Sequence, residues 1–162
     1  MRVTRSTPRS CVPIRTRRAR QKRGHQEIGR SRGGPSTKIH AVVDALGNPV
    51  RLLLTPGQTH EMKVAHELLA GICDAYVAGD MAYDAQSLVQ DLGARRCVVV
   101  IPSNPTRATQ REIDKHVYKE RRLVENFFQR IKRSRRIAMR FEKLSRNYLA
   151  FVHLAAALVW LL

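Results

Sequence analysis

The chain has 162 residues, carries 30 Lys+Arg against 13 Asp+Glu, and has a formal net charge of +17. With 43% apolar residues it can bury a core, and its length suits one domain, so wholesale disorder and a two-domain plan are both excluded. Three cysteines with no CxxC pair cannot make a disulfide framework, which points to a reducing compartment.

The Arg-rich N-terminus lacks the apolar stretch of a signal peptide. The longest apolar run, residues 148–162, holds His153 and is short for a membrane span. It reads as a buried helix, and no membrane partner is expected. The charge is uneven: +11 over residues 1–40, −3 over 41–101 and +9 over 102–162. Basic ends around an acidic middle suit a polyanion gripped from two sides, nucleic acid above all, with acids kept for another task. A solvated charged surface is the plainer alternative.

In chain order, residues 1–36 show neither helical nor strand period and read as a basic, disordered arm, with Gly29–Pro35 as a loop entry. Residues 37–162 read as the folded domain. Thr37–Asp44 is a strand, Gly47-Asn48-Pro49 a turn and Val50–Thr55 a second strand, together a hairpin. Thr59 is placed to cap a helix over His60–Ile72, with Met62, Ala65, Leu68, Leu69 and Ile72 on one face.

Ala75–Gly79 is a short buried strand that delivers Asp80. Ala85–Leu92 is a short helix, which Asp84 is placed to cap. Cys97–Ile101 is a buried strand stopped by Pro102, and residues 102–116 are a polar connection. A long helix follows from Val117 to Arg133, and an apolar helix from Arg146 to Leu162. The order predicts an α/β domain, a mixed sheet covered by helices.

Two acids stand out. Asp80 follows a buried strand in GDMAYD, and strand ends in α/β sheets are where sites form. Glu125 lies mid-helix in YKERRLVENFFQRIK. There Val124, Phe127, Phe128 and Ile131 make the core stripe, while Tyr118, Arg121, Glu125 and Lys132 share a neighbouring face. An acid flanked by two cations and a phenol suits a metal-binding carboxylate beside phosphate-contacting groups. The bland readings are an Arg121–Glu125 surface ion pair and Asp80 as a turn residue that caps the Ala85 helix. The six histidines show no metal-ligand spacing.

GHQEIGRSRGGPSTKIHAVVDALGNPVRLLLTPGQTHE, the GDMAYD segment and the helix with Tyr118, Arg121, Glu125 and Lys132 together resemble bacterial insertion-sequence transposases of the IS-five type, within the DDE group. The helix matches their Tyr-(2)-Arg-(3)-Glu-(6)-Lys signature. The resemblance covers roughly residues 25–162. It implies an RNase H-like fold, with Asp80 and Glu125 as the second and third acids of a catalytic triad that holds Mg²⁺ (or Mn²⁺). It also implies that Arg121 and Lys132 hold element-end DNA, with Tyr118 supporting that face. The implied activity is metal-dependent cleavage and strand transfer at the ends of the element. The implied partners are double-stranded DNA and further copies of the chain, and the implied location is the bacterial cytoplasm at the nucleoid.

The family's first acid lies on a strand before the GRSRGG region, in a stretch like DSTxVRAH. This chain has no aspartate before Asp44, which ends a strand at a turn, so the sheet is expected to lack its first strand. RSTPRSCVPIRTRRAR can nevertheless be back-translated so that, read from the last base of the Arg5 codon, the same bases give VDSTFVRAHPYAAG. Residues up to about Arg20 are therefore expected to be translated out of the ancestral frame, with an upstream-frame product as a further partner. The expectation is a transposase inactive alone. The alternative is a non-catalytic DNA-binding fragment that acts as a regulator or is the product of a decayed element.

Overall fold

The computed structural model describes residues 2–6, 14–15, 24–31 and 34–161, with side chains from residue 24 on. The strands are β1 (Arg2–Ser6), β2 (Ile14–Arg15), β3 (Gly29–Ser31), β4 (Gly34–Asp44), β5 (Pro49–Pro56), β6 (Ala75–Ala78) and β7 (Val98–Val100). The helices are α1 (Met62–Leu68), α2 (Gln86–Ala94), α3 (Lys115–Lys119), α4 (Arg122–Lys132), α5 (Arg135–Ala138) and α6 (Ser145–Leu161), and a 3-10 turn covers Met81–Tyr83.

β4 organises the sheet. The predicted hairpin forms, with β5 antiparallel to β4 and Ile39 opposite Leu54. Val42 and Val43 pair with β5 on one edge and with Ser6 and Arg5 of β1 on the other, also antiparallel. β6 lies parallel to β1, and β7 parallel to β6. The order is thus β5-β4-β1-β6-β7, with the short β2 and β3 pairing along the first residues of β4.

Between β4 and β6 lies Arg2–Ser6, antiparallel to the first and parallel to the second. Within residues 1–36, the described strands β1, β2 and β3 and the start of β4 are hydrogen-bonded in the sheet. The physical reason is that ladder bonds join main chain to main chain. A slot between two strands, each with a row of unpaired N–H and C=O groups, accepts a segment that shows no side-chain period. Residues 1, 7–13, 16–23, 32–33 and 162 lie outside the described residues.

Side-chain alternation along β4 divides the core into two layers. Ile39, Ala41 and Val43 pack against Val124, Phe127, Phe128 and Ile131 of α4, Ile137 of α5, and Tyr148, Val152, Ala156 and Val159 of α6. Val42 faces the other way, in a layer with Ala65 and Leu68 of α1, Val77 of β6, and Leu88 and Leu92 of α2. Both predicted apolar stripes therefore face the core. Helix α1 is shorter than expected: Glu61 is its N-cap with no side-chain bond, and Thr59 instead closes a turn onto the Pro56 carbonyl at 2.9 Å. Among the described residues, no helix is long and apolar enough to cross a membrane.

Arg140 ties distant parts together. It is 4% exposed, and its guanidinium donates to the carbonyls of Gln26 (2.5 Å), Glu142 (2.9 Å) and Lys143 (3.1 Å) and to the Thr37 hydroxyl. It also stacks over the Tyr148 ring, 4.7 Å from the centroid. Beside it, the amide and hydroxyl of Ser145, the first residue of α6, donate to the His25 carbonyl at 3.1 and 2.9 Å.

His40 of β4 is fully buried, with Nε2 2.8 Å from the Thr55 hydroxyl. Burial lowers its pKa from 6.5 to about 4, and Lys38 adds to this against the opposing pull of Glu61. Between those values the unfolded chain binds a proton here that the folded chain refuses. The contribution is therefore whole above pH 6.5 and is lost as pH falls towards 4, by about 3 kcal/mol. Urea unfolding at pH 7.0, 5.5 and 4.5 should show this decline, and His40→Gln should flatten it. A decline that survives the substitution would assign it to other groups.

Candidate active site

Burial fixes the phase of α4. With Val124, Phe127, Phe128 and Ile131 turned into the core, residues 121 and 125 fall on the flank of the helix. That flank faces the end of β6. There the chain passes through buried Gly79, whose amide donates to the Val100 carbonyl at 3.2 Å, and reaches Asp80. Asp80 caps the 3-10 turn, one of its carboxylate oxygens accepting the Met81 amide at 2.8 Å.

The two acids meet through one guanidinium. Arg121 Nη1 lies 3.8 Å from Asp80 Oδ2, and its Nη2 lies 3.3 Å from Glu125 Oε1. The Arg121 Cζ stands 5.6 Å from the centroid of the Tyr118 ring. The side chains of Asp80, Arg121 and Glu125 are 27%, 20% and 40% exposed, so the group opens to solvent. Four of the five residues chosen from the sequence thus form one constellation. Lys132, the exposed last residue of α4, stands apart, about 10 Å along the helix axis from Glu125.

The bland readings are partly present in this geometry. Arg121–Glu125 is an i,i+4 pair, whereas Asp80 caps the Met81–Tyr83 turn and not the following helix, whose N-cap is Ala85. What they leave out is the meeting of both acids on one cation. The long helix expected from Val117 to Arg133 is corrected: it breaks at Glu120 and Arg121, where the amides of Leu123 and Val124 bond to the Glu120 and Arg121 carbonyls three residues back. Helix α3 buries no residue, so no core contact holds its axis in line with α4. Asp114 starts α3, accepting the amides of His116 and Val117.

A second acid cluster escapes the sequence reading. Asp84 does not cap α2, whose N-cap is Ala85 with no side-chain bond. Its side chain is only 1% exposed and accepts the Asn104 amide at 2.6 Å, Arg107 Nε at 2.7 Å and the Arg111 guanidinium. Burial alone would push this carboxyl up. The Asn104 amide and the Arg111 and Arg107 guanidiniums outweigh it and hold the group below the usual carboxylate range. Around it the polar connection is folded: the Arg111 amide donates to Ser103 Oγ at 2.9 Å, and Gln110 Nε2 to the Asn104 and Arg107 carbonyls, both at 3.0 Å. The available signal was Arg107 and Arg111 four apart in a segment otherwise short of structure.

Asp84→Asn leaves two half-exposed guanidiniums facing a buried neutral amide. It should lower unfolding stability by about 2 kcal/mol, less than for a fully buried pair because both arginines still reach water, and open the 102–113 connection to proteolysis. A urea midpoint and a trypsin time course check both effects; unchanged values would make the cluster incidental.

Residues 9–160 match the family described as "Transposase DDE domain". A Brucella ovis protein named "Putative transposase for insertion sequence element IS6501" is 44% identical over 128 residues, covering 78% of this chain and 98% of that protein. No solved structure matches the chain significantly. The family match begins within the basic N-terminal segment, passes through β6, the Asp80 turn and α4, and runs into α6. It therefore takes in all the residues that frame the acid pair, and the chain belongs to the family of transposases with a DDE domain.

Proposed function

We propose that this chain is the catalytic domain of an insertion-sequence transposase, that Asp80 and Glu125 are two of its metal-holding acids, and that Arg121, Lys132 and Tyr118 face the DNA. The observation that carries the reading is the meeting of Asp80, from the end of β6, with Glu125, from α4, on the Arg121 guanidinium. The strand order β5-β4-β1-β6-β7, with only β4 reversed, supports an RNase H-like fold within the α/β architecture.

The donors suit a hard divalent ion: both are carboxylates, both reach solvent, and neither competes with a soft ligand. Asp80 and Glu125 would hold Mg²⁺ or Mn²⁺, which supplies Lewis-acid stabilisation of a phosphoryl displacement. The chain's own residues do the rest. Gly79 and the 3-10 turn fix Asp80, the α4 core stripe fixes Glu125, and Arg121 and Lys132 present cations to the DNA backbone, as phosphate contacts require.

Among the described residues, no group of three or more His, Cys, Asp or Glu is placed to hold a metal ion. The third ligand belongs at the end of β1. In the parallel register Val3 is level with Tyr76, so Ser6, the last residue of β1, is level with Gly79, next to Asp80. The off-frame aspartate of VDST falls across the Ser6 and Thr7 codons. Its position beside Asp80 supports the frame reading. On that reading this polypeptide binds DNA but is inactive alone, and an upstream-frame fusion is the full enzyme. The absent acid also favours the second reading, a non-catalytic occupant of element ends that acts at the nucleoid by blocking an active oligomer.

Sequencing the encoding DNA with its upstream region tests the frame directly: an upstream frame should run through the VDST codons and join this one near residue 20. The purified 162-residue chain should give no detectable Mg²⁺-dependent cleavage of inverted-repeat DNA, whereas the fused-frame protein should cut it. In the fusion, Asp80→Asn or Glu125→Gln should each lower the rate by about 10³-fold. Cleavage by the unfused chain would overturn the inactivity, and full activity in either variant would overturn the acid assignment.

A further inference from the structure

Two aspartates four residues apart meet arginines in opposite ways. Asp84 is sealed, 1% exposed, and held by Arg107 Nε at 2.7 Å together with Arg111. Asp80 is 27% exposed, and Arg121 stands 3.8 Å from it and 3.3 Å from Glu125. Charge-assisted hydrogen bonds run about 2.7–2.9 Å. Arg121 is therefore held near the acids by charge and by the Tyr118 ring, not clamped by a fork of short bonds. It approaches the very oxygens that a divalent ion would take.

We propose that Arg121 is an exchangeable counter-ion of the acid pair, which the divalent ion and a DNA phosphate displace together. This rests on the metal reading given above. Arg121 and the two carboxylates together carry a net charge of −1. A divalent ion on the carboxylates brings the group to +1, and one phosphate charge returns it to zero. The ion takes the carboxylate oxygens, and the guanidinium, still over the Tyr118 face, turns its N–H donors to the phosphate. A cation–π contact has no fixed donor direction, so it holds the side chain in either position. Metal and DNA then favour one another, and the coupling is reciprocal. Without DNA, Arg121 competes with the ion and keeps the acids half neutralised.

Mn²⁺ binding to the 162-residue chain, followed by the electron paramagnetic resonance signal of free Mn²⁺, tests this without any catalytic readout. Removing the competing charge with Arg121→Met should tighten Mn²⁺ binding about tenfold. Arg121→Lys should stay within about twofold of the unsubstituted chain, and Glu125→Gln should abolish binding. Arg121→Gln repeats the neutral test should the Met variant fold poorly, and thermal melts check each protein. At fixed ionic strength, Mn²⁺ should raise affinity for a labelled duplex about threefold more in the unsubstituted chain than in Arg121→Met. Equal Mn²⁺ affinities with and without the Arg121 charge would overturn the counter-ion role while leaving the metal reading standing. No Mn²⁺ binding by any form of this chain or by the fused-frame protein would overturn the metal reading and this inference with it.

Discussion

The position of Glu125 is decided by residues that never touch it. Phe127 and Phe128 are 1% and 4% exposed, pressed with Val124 and Ile131 onto the Ile39–Ala41–Val43 face of β4. A helix has one phase, so burying that stripe leaves no freedom over where residues 121 and 125 point. Asp80 is fixed on the same sheet two strands away, through β1 and β6. The acid pair is a by-product of helix α4 lying flat on β4. A cavity under either ring would disturb the pair before any charged residue was changed.

Asp80 and Asp84 share one short segment and divide its duties. One carboxylate is enclosed and satisfied by an amide and two guanidiniums, which suits it to holding the 102–113 connection in place. The other is left partly in water beside a loosely placed cation. A buried ion pair gives rigidity at the expense of exchange, whereas a half-exposed one can be rearranged by an incoming ion. The fold keeps these properties apart by turning the chain through a single 3-10 turn between them.

Much of this was legible in the sequence because it is periodic or local. The α4 stripe, the β4–β5 hairpin and the delivery of Asp80 by a buried strand all follow from spacing and turn residues, and four of the five chosen site residues do come together. What was not legible depends on distant partners or on main chain. Asp84 finds Arg107 and Arg111 more than 20 residues away, which no local pattern records. β1 enters the sheet by backbone pairing, which needs no alternation. The break between α3 and α4 has no Gly or Pro to announce it; it follows from one helix having a core contact and the other none.

The Arg140 clip has a consequence for how the chain comes to be folded. It joins residues 26 and 37 to residues 140–143, and Ser145 closes onto residue 25, so these bonds span more than 100 positions. During synthesis the strands leave the ribosome well before Arg140 and α6 do, and α4 just before them. Until those arrive, the layer containing Phe127 and Phe128 lacks Tyr148, Val152 and Ala156 above it. Contacts of such long range are slow to form and leave apolar surface open meanwhile. The nascent domain is thus sticky up to its last twenty residues, and a chain truncated anywhere before α6 would be expected to aggregate, not to act as a smaller version of the protein.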